Sequence, residues 1–110
     1  MFYREMIKTD KVKVPYENIY QSNAYVMCLC LCEQRNKLKD FLETKGIETL
    51  IYYGTPLHMH QAAKKFGYKE GDFPNAESQC ENVLALPHHQ YLSKNEISYV
   101  SEKINEFYNV

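Results

Sequence analysis

The nine-residue run AYVMCLCLC, Ala24 to Cys32, decides the fold. It is almost wholly apolar, rich in β-formers at its start and short, so it reads as a central strand buried on both faces. Cys28, Cys30 and Cys32 recur at a spacing of two and therefore share one strand face. Same-face neighbours on a single strand have poor geometry for bridging one another. Reduced thiols are expected, as in a cytoplasmic chain.

Downstream, QRNKLKDFLETKG sets Leu38, Phe41 and Leu42 at helical spacing, with Lys45 near the end and Gly46 as the C-terminal cap. A strand is expected over residues 47–53, turned by Gly54-Thr55-Pro56. Leu57 to Phe66 reads as a short helix stopped by Gly67, and YKEGDFP as loop. Asn75 is expected to cap a helix through Leu84, with Glu77 near its positively polarised start. Pro87 makes residues 86–90 extended. Ser93 and Glu96 form a capping box before a last helix whose apolar stripe is Ile97, Val100, Ile104 and Phe107.

Upstream, Met1 to Lys8 reads as the tail of a helix, with Phe2, Met6 and Tyr3 on one side and Pro15 preventing continuation. No capping residue precedes it, which suggests that the chain enters from something before it. The expected fold is an α/β (α+β) two-layer sandwich, a small, mainly antiparallel sheet with helices packed mostly on one face.

Composition narrows the function classes. At 110 residues, 45% apolar and 25% charged, the chain fits one domain with a modest core. A net charge of −1 and a pI near 6.4 supply no footprint for nucleic acid and no polybasic stretch for a membrane surface. The first residues carry charges inside every apolar run, so neither a signal peptide nor a membrane span is expected, and the cytoplasm is the default.

Chemistry-bearing residues gather at one place, the turn after residue 53. Tyr52, Tyr53, His58 and His60 surround Gly54 and Pro56, where phenols and imidazoles can stack on a ring or hydrogen-bond a sugar or phosphate. An ordinary exposed aromatic rim has the same composition. Adjacent tyrosines on a strand face opposite ways, so at most one is expected to look into a given pocket. Cys-x-Cys-x-Cys, His-x-His and His88-His89 form a metal-like inventory, but none has the spacing that folds a loop around zinc, and no metal site is expected. No Gly-x-Ser-x-Gly elbow or phosphate-cradling glycine loop occurs, so no catalytic and no cofactor-binding residue is assigned.

From Arg35 onward the order of motifs is specific. Arg35, Gly46-Ile47, Tyr53, Pro56-Leu57-His58, Phe73-Pro74, Ala76-Glu77, Leu86-Pro87-His88 and the helix from Ser93 together resemble the C-terminal small domain of the DegT/DnrJ/StrS sugar aminotransferases. That family has the fold-type I (aspartate aminotransferase) architecture and uses pyridoxal phosphate (PLP). The resemblance implies residues 1–20 as a linker or the end of an interdomain helix and 21–110 as the small domain. The large domain, which bears the Schiff-base lysine and most cofactor contacts, is absent from this stretch.

It also implies amino transfer from glutamate to a nucleotide-linked keto-sugar, an activity this chain would not have alone. Substrate contacts carry over to Tyr53 and His58, flanked by Tyr52 and His60, where the family more often has His and Gln. The missing large domain, a second copy joined through exposed apolar surface, and a nucleotide-linked sugar are the implied partners. A stand-alone interaction module and an inactive remnant of a truncated gene are the other expectations.

Overall fold

The computed structural model describes residues 2–110; Met1, where the first helix was expected to begin, lies outside them. Four helices and three strands follow in the order α1 (Phe2–Met6), β1 (Val12–Lys13), β2 (Cys28–Cys32), α2 (Arg35–Thr44), α3 (Pro74–Asn82), β3 (Val83–Leu86) and α4 (Lys94–Phe107). Two 3-10 segments, Leu57–Met59 and Gln61–Phe66, lie between α2 and α3. The sheet has the order β1-β2-β3 with both pairings antiparallel, Val12 opposite Cys32 and Cys28 opposite Leu86. This is the two-layer α/β arrangement expected.

β2 is central, and its two faces differ. Cys28, Cys30 and Cys32 are fully buried and join Tyr3, Leu38, Leu42, Val100 and Ile104 in the core under α1, α2 and α4. Each large aliphatic side chain removed from water there contributes about 1.5–3 kcal/mol. Leu29 and Leu31, on the other face, are only half-buried, so the strand is not covered equally on both sides. The run is also shorter than its apolar length suggests. Tyr25 takes a positive φ of 49° and Val26 is exposed, because β1 and β3 offer ladder partners only from Cys28 to Cys32.

Other departures have local causes. The first helix buries Tyr3 and leaves Phe2 exposed, with Tyr3 Oη donating to the Pro87 carbonyl at 2.7 Å. The expected strand over 47–53 is a single antiparallel bridge, Leu50 with Ala85; the Thr49 carbonyl accepts from Lys39 Nζ instead of a neighbouring strand. The expected helix over 57–66 is broken at His60 (ψ 146°) into 3-10 pieces. The second piece buries no residue, so no apolar face offsets the cost of nucleating an α-helix.

α3 opens on Pro74, which supplies a helical φ and lacks the N–H that a first-turn position leaves unbonded; Asn75 is not its cap. It ends at Asn82, because Val83 and Leu84 are drawn into the buried strand β3. The capping box at Ser93 and Glu96 forms as expected, and Gly46 at φ 76° closes α2, with Ile47 N–H donating to Leu42 O and Gly46 N–H to Glu43 O.

Candidate functional site

The uncovered face of β2 becomes the floor of an open groove of about 1210 Å³. It is lined by Leu29 and Leu31 of that face, by residues 52–58 and His60, and by the rings of Phe66, Tyr68 and Phe73. After the bridge at Leu50 the chain leaves the sheet, so strand alternation no longer governs its side chains. Both Tyr52 and Tyr53 therefore line the same groove, edge to face with centroids 5.5 Å apart, contrary to the expectation that only one would. The peptide between them is cis.

All four expected residues reach this groove, with different exposures. Tyr53 is 72% exposed on the rim, His60 is exposed, and Tyr52 is half-buried where the groove meets a second one of about 750 Å³. His58 is not a rim residue. It is 9% exposed, packs edge to face on Phe73 at 4.8 Å, and sets Nε2 3.6 Å from Glu77 Oε1. Tyr68 stacks edge to face on Phe73 at 5.0 Å. Nothing in the local sequence marks Phe66, Tyr68 and Phe73 as site residues. They sit one 3-10 segment and one loop away in sequence, and only the fold brings them into the same groove as Tyr53.

The three cysteines of β2 lie apart from this groove. Cys28 and Cys30 place their Sγ atoms 3.9 Å apart in the core, and sharing a proton with Cys28, together with burial, pushes the Cys30 thiol up. Burial pushes Cys32 up to about 12. Among the described residues no three His, Cys, Asp or Glu side chains converge as a metal site would require. Cys80, half-buried on α3, does line the groove.

Arg35 is buried beside the groove as well. Its Nη1 donates to the carbonyls of Cys80 at 3.0 Å and Val83 at 2.9 Å, and its Nε to Asn36 Oδ1 at 2.7 Å. A guanidinium at the C-terminal end of α3 satisfies carbonyls that the helix leaves open and favours its dipole. It thereby anchors the groove's α3 wall.

The sequence profile described as the DegT/DnrJ/EryC1/StrS aminotransferase family matches residues 2–105. The chain belongs to that family. The pleiotropic regulatory protein of Geobacillus stearothermophilus is 43% identical over 99 residues, 90% of this chain and 27% of that protein. The dTDP-3-amino-3,4,6-trideoxy-alpha-D-glucose transaminase of Streptomyces venezuelae is 33% identical over 75 residues, 68% of this chain and 20% of that protein. A DegT DnrJ EryC1 StrS aminotransferase from Brucella abortus superposes with a TM-score of 0.87 at 34% identity, over 98% of this chain and 29% of that one.

The DegT-family chain thus spans about a quarter of the length of such relatives, and it corresponds to their C-terminal part. The family depends on PLP. The residues here do not fit that cofactor: among the described residues lining either groove there is no lysine to hold the aldehyde and no lysine or arginine for the phosphate. No helix of the described residues is long and apolar enough to cross a membrane.

Proposed function

We propose that this chain is the C-terminal part of a nucleotide-sugar aminotransferase, which moves an amino group from glutamate to a keto-sugar, and that its groove is the substrate-side wall of the pocket. The supporting observation is that the turn singled out by the family motif, Tyr52 to His60, shares one groove with Leu29, Leu31 and the rings of Phe66, Tyr68 and Phe73. Aromatic faces suit the C–H surface of a sugar or a nucleobase, while phenol and imidazole edges suit hydroxyl and phosphate oxygens. In this reading Tyr53, Tyr52 and His60 touch the ligand, and His58 backs them from inside the wall.

PLP and the Schiff-base lysine belong to a large domain that this stretch does not contain. Residues 1–20 would lead from that domain and 21–110 form the small domain, although Tyr3, Ile7 and Val12 already share its core. Ile19, Tyr20, Val26 and Leu57, each more than 80% exposed, provide apolar surface for the large domain and for a second copy. The setting is the cytoplasm, where sugar nucleotides occur.

The test is an amide NMR titration of the chain with a dTDP- or UDP-linked sugar. Saturable shifts are expected over residues 52–60 and at Phe73, weakened about tenfold in affinity by Tyr53→Ala, the loss of one aromatic platform. Shifts confined to α1 and α4, or none at millimolar ligand, would contradict the proposal.

A further inference from the structure

Glu77 belongs to α3, yet its carboxylate ties together segments that are distant in sequence. Oε1 accepts the Gly71 N–H at 2.7 Å and lies 3.6 Å from His58 Nε2, too long for a hydrogen bond but within ion-pair range. The two side chains are 6% and 17% exposed. Among the described residues, His58 Nε2 and Glu77 Oε2 are closed off from solvent without a hydrogen-bond partner. Burying a carboxylate and an imidazole in this way costs free energy, which makes their mutual approach the compensating interaction.

The rest of the wall depends on that approach. His58 holds Phe73, and Phe73 holds Tyr68, through edge-to-face ring contacts at 4.8 and 5.0 Å. Gly71 lies between those two rings in sequence, and its N–H ends on the same carboxylate. One group therefore fastens the 57–59 turn, the 68–73 loop and α3 to each other, without itself lining the groove.

We propose that Glu77 is the positioning residue of the groove: its carboxylate holds His58 and the 68–73 loop in register, and the aromatic wall keeps its shape only while that carboxylate is in place. This concerns the wall itself and stands whatever ligand the groove takes. A test without ligand therefore separates it from the proposed function.

Diethyl pyrocarbonate modification of the whole chain, mapped by mass spectrometry, reads the protection of His58 directly. Exposed His60 and His89 serve as references, and alkylation of the core thiols Cys30 and Cys32 reports unfolding. Glu77→Ala is expected to speed His58 modification about tenfold with the thiols still protected, as local opening after loss of a charged hydrogen-bond partner. Glu77→Gln, which keeps an acceptor for Gly71 and removes the charge, is expected to speed it about threefold.

Unchanged His58 protection in Glu77→Ala would overturn the proposal. If Glu77→Ala exposes the thiols as well, Glu77→Gln decides: faster His58 modification with protected thiols supports the positioning role. Unchanged protection, or joint exposure of His58 and the thiols, overturns it.

Discussion

Cys32 illustrates how burial, outweighing the opposing charge of Arg35, dominates a residue's chemistry in this chain. Its thiol stands in the core with its ionisation displaced from the ordinary 9.0 up to about 12, and burial raises Tyr3 in the same sense. A group raised on folding keeps its proton in the native state after the unfolded chain has lost it. Its contribution to stability is complete below about pH 9 and disappears as pH climbs toward 12. Thermal melts should therefore show a midpoint falling progressively above about pH 9, as the unfolding free energy drops by up to about 1.4 kcal/mol per pH unit for each such group. Cys32→Ala should flatten that slope, and an unchanged slope would reject the assignment. At neutral pH, iodoacetamide should label Cys80 and spare Cys30 and Cys32, since the reactive thiolate is neither populated nor reachable in the core.

Among the elements, α2 and α3 are held by two different devices. Gly46 closes α2 in the left-handed region at φ 76°, and a Cβ there would meet nothing within 4 Å. The penalty of Gly46→Ala is thus conformational only, about 1 kcal/mol by chemical denaturation. Arg35→Met keeps the apolar stem and strips two carbonyls, those of Cys80 and Val83, of their donor. A loss of about 2–3 kcal/mol is expected, with faster amide exchange confined to α3 and β3. Uniformly faster exchange would show that Arg35 does not act locally.

The same elements show what was legible in advance. α2, its glycine cap and the capping box of α4 follow from short-range rules, and they formed where the sequence placed them. Val83 and Leu84 read as helix from the sequence because no local feature tells the end of α3 from the start of β3; the signal is Arg35, 48 residues earlier, bonding Val83 O. β1 is not legible in the sequence because Lys11-Val12-Lys13-Val14 alternates for too few residues to stand out. The sequence of the turn points to Tyr52, Tyr53, His58 and His60 as candidates, whereas the aromatic rings that share their groove and the burial of His58 depend on tertiary contacts.

At the scale of the whole molecule, core and groove occupy opposite faces of a single strand, the cysteine face closed by helices and the leucine face left open. A family member that corresponds to about a quarter of its relatives' length presents that open face, lined by phenols and imidazoles but by no lysine or arginine among the described residues. Under the proposed function this face would contribute recognition, and the reacting amine would come from a large domain. The most direct measurement is turnover by the purified chain given PLP, glutamate and a nucleotide-linked keto-sugar, with borohydride trapping and mass analysis of the protein. No amino sugar and no stoichiometric phosphopyridoxyl-lysine is the result predicted; repeated turnover with one lysine trapped would contradict it.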